Sequence, residues 1–216
     1  MFDLQAIQSV LNEFGFDGWL LSDFRGSNVL AERVLGIEAG DVGSRRYYYC
    51  IPAAGEPKRL VHRIESGALD HLPGSKTVYL TWQSLEDGLE ELVAGMKTLA
   101  MEYSPRNANP YISKTDAGTI EVVKNFGCEI VSSGDLVQRF EAVWSDEQWA
   151  LHQEVAQHTN SAFTHAWNFI ADQTRHEGST NEHSVQKVIL DHFTEQGMVT
   201  YHPPIVGVGR NSGGPH

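Results

Sequence analysis

Cysteine is scarce in this chain, which has only two among its 216 residues, Cys50 and Cys128. The two thiols are far apart in sequence, and each lies in an apolar, strand-like run. A small secreted domain held together by disulfides would need more cysteines at closer spacing. We therefore interpret both as reduced, buried side chains, which predicts a cytoplasmic protein.

Long hydrophobic runs and an excess of positive charge are also missing. Nowhere do about eighteen apolar residues follow one another, and the first residues, Met1–Leu4, contain no basic segment that leads into an apolar one. The 16 lysines and arginines are outnumbered by 28 acidic residues, which gives a net charge of −12. Such a chain repels phosphate backbones and anionic lipid. We therefore expect no nucleic-acid partner, no membrane partner and no export.

Several catalytic and metal-binding motifs are absent as well. Gly207–Gly213 has the wrong glycine spacing for a dinucleotide fingerprint, Gly74–Thr77 fails as a phosphate loop, and no G-x-S-x-G elbow occurs. No two of the ten histidines are three or four residues apart. His158 and His165 share a helical face at about 10 Å, which is too far for one zinc ion. We interpret the histidines as solvated or helix-packing side chains.

What is present is the pattern of a folded α/β protein. Hydrophobic residues make up 41% of the chain, which is enough for a core. Apolar residues at helical spacing from Leu4 to Phe14 predict a first helix that ends at Gly15. Six strand-like runs separated by turn signals predict the strands of a central sheet: Trp19–Leu21, Tyr47–Ile51, Arg59–His62, Thr77–Thr81, Leu99–Glu102 and Cys128–Val131.

Helical patterns lie between and after these runs. They cover Ser84–Val93, Thr115–Phe126 and Gly134–Val143. Helices that alternate with strands favour an α/β layer fold around a sheet. The sequence therefore predicts an α/β domain over residues 1–143.

The pattern changes after residue 143, where we place a domain boundary. Ser145–Gln148 forms a capping box that opens a long helix with an apolar stripe, and no strand signal appears for about fifty residues. The long helix is expected to end near His176–Gly178. A second helix is predicted over Asn181–Glu195. We expect the apolar faces of both helices to be incompletely covered, which encourages association.

The last stretch, Tyr201–His216, predicts a strand that leads into a turn of small residues. Ile205–Val208 has the composition of a buried strand, and the glycines after it allow a close backbone approach beside His216. A buried strand needs neighbouring strands for its backbone hydrogen bonds, and no sequence follows to supply them. We therefore expect the chain to be the front portion of a larger protein, with His216 projecting into a cleft.

Three motifs together resemble one known family. They are Trp144–Glu147 before the long helix, the turn Gly178–Glu182, and the segment Pro204–His216, which reads Pro-Ile-Val-x-x-Gly-x-Asn-Ser-x-x-Pro-His. The whole plan is similar to the creatinase, prolidase and aminopeptidase P family, whose catalytic domain has the pita-bread fold. The region Asp17–Gly36 also resembles the part of these proteins that carries a strand and a loop near the dimer interface. The resemblance implies an amino-terminal creatinase-like three-layer domain with a central mixed sheet over residues 1–143. The first helices and strand of a truncated pita-bread α+β domain would follow over residues 144–216.

The resemblance also implies a function for the full-length protein. Family peptidases are Xaa-Pro aminopeptidases and dipeptidases that bind two divalent metal ions, Mn, Co or Zn, through two aspartates, one histidine and two glutamates. All five ligands would lie beyond His216, so we expect no cofactor and no activity in this fragment. His216 matches an active-site histidine that contacts substrate or stabilises the tetrahedral intermediate. Small peptides are the implied substrates, the implied assembly is a homodimer, and Phe24 and Arg25 would form a substrate-binding loop lent to the neighbouring subunit.

Two other readings stay open. A creatinase-like hydrolase would use the histidine as a general base without metal. A catalytically dead pita-bread relative would act instead as a protein-binding module. For Phe24 itself, the plain alternative is a polar turn in which the ring covers the core.

Overall fold

The computed structural model describes residues 2–38 and 43–214. Contacts divide the chain into two units, Met1–Val143 and Trp144–His216. The first unit contains the following helices and strands: α1 Leu4–Phe14, β1 Gly18–Asp23, α2 Val29–Leu35, β2 Tyr47–Pro52, β3 Lys58–His62, β4 Ser75–Tyr79, α3 Trp82–Val93, β5 Thr98–Met101, α4 Ala117–Asn125, β6 Glu129–Ser132 and α5 Gly134–Phe140. The second contains α6 Asp146–His176 and α7 Glu182–Glu195, followed by a 3-10 turn at Gly209–Gly213.

The six strands form one mixed sheet in the order β4-β3-β2-β1-β5-β6. Strand β2 runs antiparallel to both β1 and β3, while the pairs β3–β4, β1–β5 and β5–β6 are parallel. The central strand β1 is buried along its whole length, because helices cover both faces of the sheet. The prediction of an α/β domain with a central mixed sheet is confirmed.

Side-chain alternation along the strands supplies two apolar cores, one on each face of the sheet. On one face Trp19 and Leu21 of β1 pack with buried residues of α1, α2 and α5. On the other face Leu20 packs with buried residues of α3 and α4. Two helical layers with a sheet between them make the three-layer arrangement expected from the sequence.

Helix ends are set by local hydrogen bonds that the sequence indicates. The Asp3 carboxylate accepts a hydrogen bond from the Ala6 amide at the start of α1, and Gly15 ends that helix with φ +70°. At the start of α6, Ser145 and Gln148 form the reciprocal capping box. The predicted helix end at Gly15 and the predicted capping box at Ser145 are confirmed.

The two cysteines lie where an apolar environment keeps them inert. Cys50 is in β2 and Cys128 precedes β6, and both are buried free thiols. Burial raises the pKa of Cys50 to about 12, so its reactive thiolate is scarce at neutral pH.

The second unit is a pair of helices that pack through a small apolar cluster. Ala162 and Ala166 of α6 contact Val185 and Ile189 of α7. Large apolar side chains remain exposed on this unit, among them Leu151, Phe163, Trp167 and Ile205. None of the helices in the described residues combines the length and the hydropathy needed to cross a membrane.

The prediction of a strand over Ile205–Val208 is wrong. This segment has no regular structure, and Ile205 and Val208 are 63% and 69% exposed. No strand within 144–214 pairs with it, and the Val208 amide donates a hydrogen bond to Glu182 Oε1 instead. Val206 packs against the apolar cluster of the helix pair.

Candidate functional site

A tight turn follows β1 at Phe24–Ser27, and it carries both side chains expected to bind substrate. The buried Asp23 carboxylate accepts hydrogen bonds from the amides of Gly26 and Asn28, at 2.9 Å and 2.7 Å. Arg25 adopts a left-handed backbone, with φ +59°. Such a conformation costs about 1 kcal/mol or more in a non-glycine residue, and the two bonds to Asp23 offset it.

The turn places Phe24 and Arg25 at the surface. Phe24 is 45% exposed and does not belong to either apolar core, so it does not cover the core as the plain alternative requires. Its ring lies under the Arg46 guanidinium, 5.7 Å from ring centroid to Cζ, which is within cation–π range. Phe24 also lines a cleft of about 120 Å³ with Lys114 and Thr115, whereas Arg25 is outside the lining of that cleft.

A buried carboxylate, Glu102, holds this turn in place. Its Oε1 accepts hydrogen bonds from Trp19 Nε1 at 2.7 Å and Ser133 Oγ at 3.0 Å, and its Oε2 accepts one from Asn28 Nδ2 at 2.8 Å. Asn28 also donates to the Ser22 carbonyl and caps α2. Burial raises the pKa of Glu102, and the three hydrogen bonds oppose that shift.

Sequence reasoning did not single out Glu102 or Asn28. The available signal is a glutamate that directly follows three apolar residues, Leu99–Met101, in a strand-like run. A carboxylate in that position needs several donors, because an unpaired buried charge is very costly.

The segment Pro204–Gly214 is fixed to the start of α7 by hydrogen bonds. Glu182 Oε1 accepts from the Val208 amide at 2.6 Å, and both carboxylate oxygens are 3.1 Å from Asn211 Nδ2. Gln186 Nε2 donates to the Pro204 carbonyl at 2.8 Å. The structure thus brings together Glu182 and Asn211, which belong to two separate motifs of the family pattern.

His216, the predicted catalytic residue, lies outside the described residues, as does Pro215. The side chain expected to act on substrate therefore has no described geometry. The segment before it is described up to Gly214, and residues 209–213 form the 3-10 turn.

Within the described residues, no group of side chains fits a pair of metal ions. Across 2–38 and 43–214 no three or more histidine, cysteine, aspartate or glutamate side chains cluster as metal ligands. Three histidines of the helix pair instead pack together. The His165 and His192 rings are 4.6 Å apart between centroids, and His192 Nε2 lies 3.1 Å from the His158 carbonyl oxygen.

Comparison with solved structures identifies the fold. No family model matches the sequence, and no curated protein matches it. Three solved structures are similar to 88–89% of the chain: the Xaa-Pro dipeptidase from Bacillus anthracis (TM-score 0.50, 14% identity), the prolidase from Thermococcus sibiricus (0.53, 13%) and the dipeptidase PepE from Mycobacterium ulcerans (0.52, 12%). The chain covers only 48–49% of each of these proteins.

These similarities show a shared fold. The chain has the α/β fold of prolidases and Xaa-Pro dipeptidases, over about half the length of those enzymes. At 12–14% identity the similarity shows the architecture only. The chemistry of the chain has to be inferred from its own residues.

Proposed function

We propose that this chain is part of a Xaa-Pro dipeptidase or aminopeptidase that depends on two divalent metal ions. The observation that carries the proposal is the fold shared with two solved Xaa-Pro dipeptidase and prolidase structures over 89% of the chain. The hydrogen bonds between Glu182 and Asn211 support the proposal. They connect the turn Gly178–Glu182 with the segment Pro204–His216, two of the motifs by which the sequence resembles that family.

In this proposal the metal ions, Mn, Co or Zn, are bound outside the present chain. The described residues offer no ligand set, and the chain covers about half of the similar enzymes. We expect chain 1–216 alone to be inactive, and we propose that residues 144–216 form the start of a pita-bread catalytic domain. The peptidase acts in the cytoplasm.

His216 is proposed to contact the substrate or the developing oxyanion. Glu182 ties down the Val208 amide and the Asn211 side chain, which orders the backbone that leads toward this histidine. Hydrogen-bond donors aimed at a developing negative charge are a major source of rate in acyl transfer.

The proposed substrates are small peptides with proline in the second position. The Xaa-Pro bond is a tertiary amide, because the proline nitrogen carries no N–H, and the proline ring fixes φ. A pocket shaped for this bond therefore rejects other peptides. The assembly is proposed to be a homodimer in which Phe24 and Arg25 reach the cleft of the neighbouring subunit. The surface position of the turn suits this role, because both side chains are exposed.

The test compares chain 1–216 with the full-length protein encoded by the gene. Each is assayed for hydrolysis of Ala-Pro and, as a control, Ala-Ala, with added Mn²⁺, Co²⁺ or Zn²⁺ and after exhaustive chelation. We expect metal-dependent cleavage of Ala-Pro by the full-length protein alone, with a large loss in His216→Ala. Cleavage that survives chelation would indicate the metal-independent hydrolase, and a folded but inactive full-length protein would indicate the binding module.

The substrate-binding turn has its own test in the full-length protein. Phe24→Ala should raise KM or lower kcat for Ala-Pro, whereas Tyr111→Ala, an exposed aromatic residue distant in sequence, should change neither. Unchanged kinetics in Phe24→Ala would remove the turn from the proposed site without affecting the peptidase assignment.

A further inference from the structure

A crevice opens in the first unit between the starts of α3 and α4, beside the start of β2. Its volume is about 250 Å³, just below the range of about 300 to 1,000 Å³ that holds drug-sized ligands, so it suits a smaller molecule. Its lining comes from residues 46–48, 82–89 and 116–122, all of which the structure describes. Neither Phe24 nor Arg25 lines it, and no step of the proposed peptidase activity uses it.

Most of the crevice surface is apolar and open to a ligand. The buried Tyr48 and Leu89 lie at its base. Leu85 and Val122 are half-buried, and Trp82 is 67% exposed. A molecule from solution can therefore reach this surface, and an apolar group placed on it would remove exposed apolar area from water.

Three charged side chains line the crevice, and one of them is already engaged. The Asp116 carboxylate accepts hydrogen bonds from the Thr119 amide at 3.0 Å and the Thr119 hydroxyl at 2.6 Å, which commits it to the start of α4. Neither the Arg46 guanidinium nor the Glu86 carboxylate forms an ion pair with a described residue. Both residues are exposed, so a ligand can reach them.

The Arg46 guanidinium is positioned by an aromatic ring and keeps donors for a ligand. Its Cζ lies 5.7 Å from the centroid of the Phe24 ring. A guanidinium carries five N–H donors, and contact with one ring leaves several of them available. Two parallel N–H groups match the two oxygens of a carboxylate. Arg46 is therefore suited to bind a carboxylate in the crevice.

The two unpaired charges have opposite signs, which matches a zwitterion. Glu86 follows Trp82 by four residues on α3, so the carboxylate and the indole share one helix face. A purely anionic ligand would meet the carboxylates of Glu86 and Asp116. A purely cationic ligand would meet Arg46. Only a molecule with both charges pairs Arg46 and Glu86 together.

We propose that this crevice binds a free α-amino acid with a large apolar side chain. The carboxylate of the amino acid accepts hydrogen bonds from the Arg46 guanidinium, and its ammonium group donates to Glu86. Its side chain lies against Trp82, Leu85 and Val122. The site does not depend on the proposed peptidase activity, because none of these five residues is assigned to it.

The experiment uses L-phenylalanine as the probe on the purified 216-residue chain. 3-Phenylpropionate has the same ring and carboxylate without the ammonium group, and 2-phenylethylamine has the ring and ammonium group without the carboxylate. Titration calorimetry should detect binding of L-phenylalanine at millimolar concentration. Each analogue should bind about tenfold more weakly or worse, since it lacks one charge-assisted hydrogen bond. Backbone amide NMR shifts induced by L-phenylalanine should centre on the starts of β2, α3 and α4.

Two variants, each with a matched control, locate the contacts. Arg46→Gln and Glu86→Gln should each weaken L-phenylalanine binding about tenfold or more, since each removes one of the two charges. Arg45→Gln and Glu90→Gln change exposed neighbours that do not line the crevice, so they should leave affinity unchanged. Trp82→Ala should weaken binding several-fold, because it removes part of the apolar surface.

The proposal is overturned if the wild-type chain fails to bind L-phenylalanine at millimolar concentration. It is overturned equally if either analogue binds as well as the amino acid, or if both Arg46→Gln and Glu86→Gln retain full affinity. Circular dichroism of each variant establishes that it is folded. The shift map in the wild-type chain tests the location without any substitution, and shifts centred on another part of the chain would also overturn the proposal.

Discussion

Glu102 offers the sharpest test of how the Phe24 turn is held. Substituting it with alanine removes the acceptor for Trp19, Asn28 and Ser133 in a fully buried site. Each donor stranded away from water costs about 1 to 3 kcal/mol, and the vacated volume adds a cavity cost. Removing the buried carboxylate offsets part of this loss of stability, because burying its charge is itself unfavourable, which raises the pKa of Glu102. We therefore expect Glu102→Ala to lower the free energy of unfolding by about 4 kcal/mol.

Native-state hydrogen exchange of the amides in β1 and β5 measures this loss within the first unit. Glu121→Ala, in which an exposed glutamate of α4 is truncated, serves as the control and should stay within about 0.5 kcal/mol of the wild type. A loss below about 1 kcal/mol in Glu102→Ala would refute the reasoning, since it would mean that the three donors find other partners at little cost. We also expect the amides of the Phe24–Ser27 turn to exchange faster, because Asn28 loses its anchor.

Further predictions concern pH, the second unit and packing. Because burial raises the folded pKa of Glu102 above the ordinary value for a glutamate, its contribution to stability is complete below that ordinary value and falls as pH rises through the folded pKa. The stability of the wild type relative to Glu102→Gln should therefore decline with rising pH in urea titrations, and a rise would contradict the sign. Glu182→Ala should speed exchange of the Val208 amide about tenfold, since it removes a hydrogen bond worth about 1 kcal/mol or more; unchanged exchange would show that Glu182 does not hold this segment. A Cβ at Gly88 would lie 2.7 Å from Leu60 Cδ1, so Gly88→Ala should lose about 1 kcal/mol by chemical denaturation despite the better helix propensity of alanine. A gain would show that the Leu60 side chain yields easily.

Elements with strong local signals could be predicted from the sequence. The helix Leu4–Phe14 and its end at Gly15 follow from apolar spacing and the left-handed glycine. The capping box at Ser145 follows from hydrogen bonds within one turn of the chain. In both, the atoms that decide the structure lie within a few residues of one another, which is why pattern reasoning works there.

Elements that depend on distant partners were missed or wrong. The short helix α2 was not predicted, because its seven residues depend on Asn28 at its start and on burial of Ala31 and Leu35 against the sheet. Ile205–Val208 has the composition of a strand, but a strand also requires a neighbour, and within the described second unit none pairs with it. The composition of a segment does not indicate whether a neighbouring strand is present to pair with it.

The candidate sites show the same division. Phe24 and Arg25 could be placed on a turn from the sequence, because they follow a strand and precede glycine. The hydrogen bond of Glu102 with Trp19 spans 83 residues of sequence, and its hydrogen bond with Asn28 spans 74. Such long-range contacts depend on the fold, and no local pattern in a single sequence indicates them.

The outer strand β4, at one end of the sheet order, has a consequence for solubility. Four of its five residues are exposed, and an open strand of this kind could recruit strands from other molecules. Lys76 is its second residue, and the lysine ammonium group lies 2.7 Å from Asp70. A second chain docking along this border would have to strip water from that ion pair, so the lysine protects the protein from stacking into fibrils.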